Sequence, residues 1–324
     1  MTVPLPPVTL PRFPLATLPT PLVRARRLER VLGGRLLVKR DDLTGFGAAG
    51  NKARQLEYLV GAAVAEQRDV LVTGGGPGSN FCPAAAGAAR AAGMECTLVV
   101  YGDPPAVLPP NLALARACGA RLRFTGAGRD LVDAAIEREA ERLAAEGRRP
   151  VAVPRGGSSP VGAAGFAAAA TEVVAQLEAL RVEPAVIVVA TGSGGTQAGL
   201  LAGLAGCGKH WRVVGVSVSR PLPEITSRVW ELAQACAATL QRPPPSRDQV
   251  ELVDARGPEA EARAIRRCRL ALEVEGLLLD ETYTARSFAV AADLLAATDG
   301  TVVFWHTGGL VPALTALTGR APHG

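Results

Sequence analysis

Residues 44–57 read TGFGAAGNKARQLE, which sets Lys52 directly after a glycine-rich turn and at the start of a helical pattern. Of the 35 basic residues only Lys39, Lys52 and Lys209 are lysines, so the candidate amine nucleophiles are few. Glycines allow tight packing around Lys52, and a helix N-terminus disfavours its positive charge. Both effects lower an amine pKa and favour a neutral nucleophile able to form a Schiff base. The alternative is an ordinary solvated lysine at a helix start, and GNK alone does not decide between them. A second candidate is ATGSGGTQAGL, residues 190–200. Its backbone N–H groups from Gly192 to Thr196, the Ser193 and Thr196 hydroxyls and a helix dipole can converge on a dianion without lysine or metal. That suits a phosphate that stays bound.

Such groups need a scaffold that brings distant turns together. Short apolar runs at 69–73, 96–101, 185–191, 213–218 and 301–305 are too uniformly apolar for one-sided strands and predict a buried parallel sheet. Between them, apolar residues recur at helical spacing around 56–64 and over 130–146, 162–180, 223–241, 259–275 and 285–297. The pattern is α/β, doubly wound. Three times an apolar strand ends in Thr, a glycine turn follows, and a small-residue helix begins: VLVTGGGPGSNFCPAAAGAA, IVVATGSGGTQAGLLAGL and FWHTGGLVPAL. Turns of this kind lie at the carboxyl ends of parallel strands, where free helix N–H groups meet anions. Three of them point to one cleft with more than one anionic group.

Other chemistries fit less well. GLAGCGKH, residues 203–210, has phosphate-loop spacing, but His210 stands where Ser or Thr must hold magnesium, and the segment precedes a strand. In the glycine turns Gln197 and Ser79 occupy the last glycine position of a dinucleotide fingerprint. The six cysteines lie in apolar segments without metal-ligand pairing, and the three histidines, His210, His306 and His323, offer them no evident catalytic partner. The net charge of +5 comes from dispersed arginines with few aromatics beside them, which argues against nucleic acid. The proline-rich start lacks a basic n-region, and the most apolar stretch, around 185–206, is interrupted by Thr, Ser and Gly. No membrane association and a cytoplasmic location are therefore expected.

Six motifs in order, LVKRDDLTGFGAAGNKARQLEYL, VTGGGPGSNFCPAAAGAARAAGM, RGGSSPVGAAGF, VVATGSGGTQAGLLAGL, LDETYTARSFA and FWHTGGLVPAL, give the chain a closer likeness. From about residue 20 to 317 it resembles the D-cysteine desulfhydrase and 1-aminocyclopropane-1-carboxylate deaminase family. Those enzymes use pyridoxal 5'-phosphate on a two-domain fold of the tryptophan synthase β type. The resemblance implies a larger domain built from 1–48 and 165–324, a smaller one at 49–164 with the cleft between them, and a homodimer. It makes Lys52 the Schiff-base lysine and Asn51 part of the turn that places it. Cofactor contact falls to these two, to Asn80 and Thr307, and to Thr191, Gly192, Ser193, Gly194, Gly195 and Thr196. Ser79 and Asn80 are expected near the substrate carboxylate and the pyridoxal 3-oxygen. Phe81, Ser158 and Tyr283 complete the substrate side, with Lys52, Ser79 and Tyr283 as catalytic residues. A neutral Thr307 facing the pyridine nitrogen implies a weaker electron sink, which favours elimination from Cβ over transamination.

The expected activity is a lyase that converts a small amino acid to a keto acid and ammonia. Departures qualify the substrate. Phe81 stands where the desulfhydrases have histidine and the cyclopropane deaminases glutamine. YTARS replaces Y-T-G-K, and Phe304 replaces a second tyrosine of the deaminases, against cyclopropane-ring opening. The rivals are a β-replacement enzyme or isomerase of the same fold, with Phe81 as a wall that excludes water, a 1-aminocyclopropane-1-carboxylate deaminase, and a cofactor-binding protein with little catalysis. His306 is expected to be packed and hydrogen-bonded, and KRDD, residues 39–42, to form ion pairs without a catalytic role.

Overall fold

The computed structural model describes residues 10–318; the first nine residues and His323 lie outside that range. Among the described residues ten strands form two sheets: β1 (Leu22–Arg24), β2 (Arg35–Arg40), β3 (Val70–Gly75), β4 (Glu95–Val100), β5 (Arg121–Phe124), β6 (Pro150–Ala152), β7 (Pro184–Thr191), β8 (Val213–Ser217), β9 (Glu251–Asp254) and β10 (Thr301–His306). The six-stranded sheet runs β1-β2-β10-β7-β8-β9, and the four-stranded sheet runs β5-β4-β3-β6. Every pairing is parallel except β1 with β2. Helices cover both faces of each sheet, because β3, β7, β8 and β10 are buried along nearly their whole length and shed apolar side chains on both sides.

All five apolar runs are strands, and the six helical patterns are helices with ends shifted by a few residues. β1, β2, β5, β6 and β9 go beyond those runs. They are short, alternating or partly exposed, so continuous hydrophobicity does not mark them.

The helix Pro160–Ala179 is the longest, and the expected boundary at 164/165 falls inside it. Pro at its first position and the Ser159 hydroxyl, which accepts from the Gly162 N–H at 3.1 Å, start it cleanly. By length and composition it could cross a membrane, but it is largely buried. Its tightest neighbour is the helix Gly195–Gly206. A Cβ on Gly199 would sit 2.2 Å from the Ala163 carbonyl oxygen, and one on Gly203 2.5 Å from that of Ala167. The small residues of that segment therefore set how closely the two helices cross, which fixes where the Gly195 N-terminus emerges from the sheet.

A buried polar cluster ties the elements together. Arg54 donates to Asp41 at 2.8 and 2.9 Å, to both oxygens of Glu172 at 2.9 Å, and to the Thr20 hydroxyl at 2.9 Å. Lys39 pairs with Glu172 and donates to the Gln176 side chain and the Thr20 carbonyl, each at 2.7 Å. Trp305 Nε1 donates to Asp41 at 2.7 Å. Chain segments far apart in sequence thus clamp the helix Lys52–Ala65 two residues after its start. The charges of KRDD do form ion pairs, completed by Arg40 with Asp42 at 2.7 Å.

Candidate active site

The carboxyl ends of β3, β7, β8 and β10 surround a cavity of about 370 Å³. This is where an open parallel sheet leaves helix N-termini and turn N–H groups without partners of their own. Lys52 lines the cavity as the first residue of its helix. Among the described residues nothing accepts a hydrogen bond from its Nζ, and burial pushes its pKa down to about 8. Desolvation is the cause.

The turn before Lys52 is held from two sides. The Asn51 N–H donates to the Thr307 carbonyl at 3.0 Å, and the Asn51 side-chain amide donates to the Thr196 hydroxyl at 3.1 Å. Gly50 adopts φ +55°, and a Cβ there would lie 2.4 Å from the Thr307 carbonyl oxygen. Only glycine lets the lysine turn close against the turn after β10.

Across the cavity, β7 ends at Thr191 and the chain turns through Gly194, at φ +95°, into the helix Gly195–Gly206. The first N–H groups of that helix have no intrahelical acceptors. The Ser193 hydroxyl lies 2.5 Å from that of Ser158, and the Ser193 carbonyl accepts from Arg228 Nε at 2.9 Å. Tyr283 closes this side, 3.1 Å from where a Cβ on Gly192 would project. Burial raises its phenol pKa. Beneath it, Asp280 accepts from the N–H groups of Thr282, Tyr283 and Thr284 and so caps the helix Thr284–Ala297.

On the four-stranded sheet side, the loop after β3 supplies Ser79, Asn80 and Phe81. Asn111, buried, donates to both the Gly78 carbonyl and the Asn80 side chain at 3.0 Å. Phe81 begins the helix Phe81–Ala91 and lines the cavity while nearly all of its surface is packed away. His306 is buried; its Nδ1 accepts from the Gly308 N–H at 3.2 Å, and burial lowers its pKa to about 4. It is a packed, neutral ring at pH 7.

Of the residues singled out from the sequence, Lys52, Asn51, Ser79, Asn80 and Phe81 share this cavity with Tyr283, Thr307, Thr191, Gly192, Ser193, Gly194 and Thr196. Ser158 and Gly195 do not line it. Ser158 stands behind the glycine turn, its hydroxyl 3.0 Å from where a Cβ on Gly195 would lie, and Gly195 is the turn residue that packs against it. Sequence reasoning missed Tyr101, Arg129, Arg155, Arg220 and Asp280, which also line the cavity. Arg155 lies inside the quoted motif RGGSSPVG and Asp280 inside LDETYTARSFA, but nothing local marks Arg129 or Arg220 as facing a site.

The donor set fits a phosphorylated aldehyde: an unpartnered amine of lowered pKa, and opposite it a glycine turn with free N–H groups and two hydroxyls. The chain matches the family model described as pyridoxal-phosphate dependent enzyme over residues 14–308. It belongs to that family. It is an enzyme, and its cofactor is pyridoxal 5'-phosphate. A Pyrococcus abyssi protein named "Putative 1-aminocyclopropane-1-carboxylate deaminase" is 36% identical over 316 residues, covering 93% of each chain. A Salmonella typhi protein named D-cysteine desulfhydrase is 35% identical over 321 residues, covering 94% of this chain and 96% of that one. The solved structure of an "ACC deaminase homologue" superposes with a TM-score of 0.88 at 34% identity, over 96% of this chain and 95% of that one. The two-sheet fold is therefore that of fold type II pyridoxal-phosphate enzymes.

Proposed function

We propose that this enzyme is a lyase that eliminates a substituent from Cβ of a small amino acid and releases a keto acid and ammonia. One observation carries the reading: Lys52, without a partner and with a pKa near 8, shares a cavity with the open glycine turn and is tied to it through Asn51 and Thr196. The names of the two relatives, a D-cysteine desulfhydrase and a deaminase, support the same class of reaction.

Lys52 would anchor the cofactor and, once displaced by the substrate amine, take the proton from Cα. When bound, pyridoxal phosphate supplies the electron sink that makes this proton acidic. The N–H groups from Gly192 to Thr196, with the Ser193 and Thr196 hydroxyls, would hold the phosphate. Thr307 would face the ring nitrogen with a neutral hydroxyl. Ser79 and Asn80, at the start of the helix Phe81–Ala91, would orient the carboxylate, and Tyr283 would cover the reacting face. We assign cytoplasmic location, a homodimer and a division into a smaller unit near 49–164 and a larger remainder to the same reading.

The visible spectrum of the loaded protein tests it, together with keto-acid release from D- and L-cysteine, β-chloroalanine of each hand and 1-aminocyclopropane-1-carboxylate. The expected result is a visible band, lost in Lys52→Ala, that one of these amino acids perturbs while keto acid and ammonia form. Wild-type protein that takes up the cofactor without such a band would overturn the lysine assignment. Phe81 favours one variation, in which an apolar wall keeps water away and another nucleophile captures the product of elimination. Keto acid that gives way to a β-substituted amino acid when a thiol is added would establish it.

A further inference from the structure

The cavity carries more positive charge than one α-carboxylate and a cofactor phosphate held by backbone N–H groups require. Arg129, Arg155 and Arg220 all line it. Arg155 is occupied: its Nε, Nη2 and backbone N–H all engage Asp133. Arg228, just behind, is committed to the Ser193 carbonyl. The other two retain donors. Arg220 pairs with Glu224 through Nη1, yet its Nε is buried with no hydrogen-bond partner. Among the described residues the Arg129 side chain makes one long hydrogen bond, 3.4 Å to the Ser219 hydroxyl, and no ion pair.

That bond joins two sides of the cavity. Arg129 follows β5 of the four-stranded sheet, and Ser219 follows β8 of the six-stranded one, next to Arg220. The loop that carries Arg220 is pinned, because its carbonyl accepts from Ser217 Oγ at 2.7 Å. Arg129 also acts electrostatically on Tyr283, the ring that lies over Gly192. Around Arg228 lie Arg220 and Arg155 with Asp133 and Glu224, so three guanidinium groups face these two carboxylates. The Arg129 guanidinium, largely uncommitted at the cavity wall, and that of Arg220, which follows its partner Ser219, suit an oxyanion, which such groups bind with short, charge-assisted hydrogen bonds.

We propose that Arg129 and Arg220 form a subsite for a second anionic group on the substrate side chain, so that the preferred amino acid carries a sulfonate or phosphate on Cβ. The inference rests on the lyase reading above and names its substrate class. The balance of the step is complete with water alone. The Cα–H bond breaks with its proton taken by Lys52. The Cβ–S or Cβ–O bond breaks with its electron pair leaving on sulfite or phosphate. Hydrolysis of the resulting enamine gives the keto acid and ammonia. Arg129 and Arg220 would stabilise the charge that the departing group carries away.

The test compares loaded wild type with Arg129→Gln and Arg220→Gln. The substrates are cysteic acid and O-phosphoserine of each hand, set against cysteine and β-chloroalanine. Keto acid is followed throughout, and sulfite and phosphate separately distinguish the two anions. The expected result is kcat/KM for one anionic substrate at least about tenfold above that for cysteine, with KM rising as salt is added. In each variant the ratio of kcat/KM for the anionic substrate to that for β-chloroalanine should fall at least about tenfold. Titration calorimetry with cysteic acid and O-phosphoserine reads the subsite without turnover.

If cysteine or β-chloroalanine reacts while the anionic amino acids neither react nor bind, the subsite fails and the lyase reading stands. If no amino acid reacts but an anionic one binds in an Arg129-dependent way, the lyase reading fails and the subsite stands. If the variants weaken only pyridoxal phosphate binding, the arginines serve the cofactor, and the proposal is overturned.

Discussion

Lys39 and Lys52 show how differently one fold treats two lysines, one wholly buried and one half-buried on the cavity wall. Lys39 is fully buried, but three acceptors surround it, from Thr20, Glu172 and Gln176. Burial lowers its pKa, and the hydrogen bond and charge of Glu172 work against that. Lys52 has only the burial, and its pKa settles near 8. Where a buried charge serves structure, its desolvation is offset by partners. At the cavity the offset is withheld, and an amine that can be neutral near physiological pH is the result. Arg54, two residues along the same helix, belongs to the compensated region, so one helix turn carries both solutions.

The largest effect that contrast predicts is on catalysis. Lys52→Ala should lower kcat by more than about 10⁴-fold, because anchor and general base are lost together. It should leave a folded protein, since no hydrogen bond of the fold ends on Lys52 Nζ. Turnover and far-ultraviolet circular dichroism, measured side by side, check both halves. A variant that unfolds would put Lys52 among the structural lysines.

The second prediction lies in the compensated region. Arg54→Met removes the donor shared by Asp41, Glu172 and Thr20 and leaves two carboxylates in the interior. Breaking one side of a buried ion pair costs about 3–5 kcal/mol, to be read from urea unfolding curves. A shift of less than about 1 kcal/mol would show that water reaches the cluster and that the contrast with Lys52 is one of degree.

How far each region was legible in the sequence follows from how locally it is built. Lys52 and the turn from Gly192 to Thr196 could be read because each is a few consecutive residues between a strand and a helix, and glycine marks the geometry directly. Strands β3, β7, β8 and β10 were legible for the same reason, as continuous apolar runs. The cluster around Arg54 draws on residues 20, 41, 172 and 305, and no spacing rule links those positions. Arg129 and Arg220 were invisible in a different way. In a chain with so many arginines, only the packing of the two sheets says which ones face a cavity. Ser158 was read as lining the cleft, but it supports Ser193 from behind, a distinction that depends on the 2.5 Å contact between their hydroxyls.

The third prediction uses proton linkage. The folded state lowers the pKa of Lys52 from 10.5 to about 8, so below pH 8 the amine is protonated in both states and its burial costs stability. Between about pH 8 and 10.5 the unfolded chain binds more protons than the folded one, and stability rises with pH as the cost is relieved. Cofactor-free Lys52→Met should therefore be more stable than cofactor-free wild type at pH 7, by up to about 3 kcal/mol. The gain should shrink as pH climbs from 8 towards 10.5. Lys39→Met should show no such gain, because it removes a hydrogen-bonded cation and leaves Glu172 with fewer donors. Parallel pH series of urea midpoints for the two variants would expose any sharing of behaviour between the lysines.

The smallest effect belongs to Asn51, which stands between the two regions. Its side chain is buried and makes one hydrogen bond, to the Thr196 hydroxyl at 3.1 Å, while its backbone N–H holds the Thr307 carbonyl. Asn51→Ala keeps the backbone link and removes the side-chain one, so the lysine turn stays docked against β10 but is no longer tied to the glycine turn. A buried neutral hydrogen bond of this kind contributes about 1 kcal/mol. With the donor gone, the Thr196 hydroxyl rotates freely and loses its preset orientation towards the phosphate. The expected outcome is a rise of about 3- to 10-fold in the dissociation constant for pyridoxal phosphate, measured by equilibrium fluorescence. Unfolding midpoints should move little, since the Arg54 cluster is untouched. If the opposite pattern emerged, with a large loss of stability and unchanged cofactor affinity, Asn51 would belong with Lys39 and Arg54, and the boundary between the compensated interior and the open cavity would lie one residue closer to Lys52.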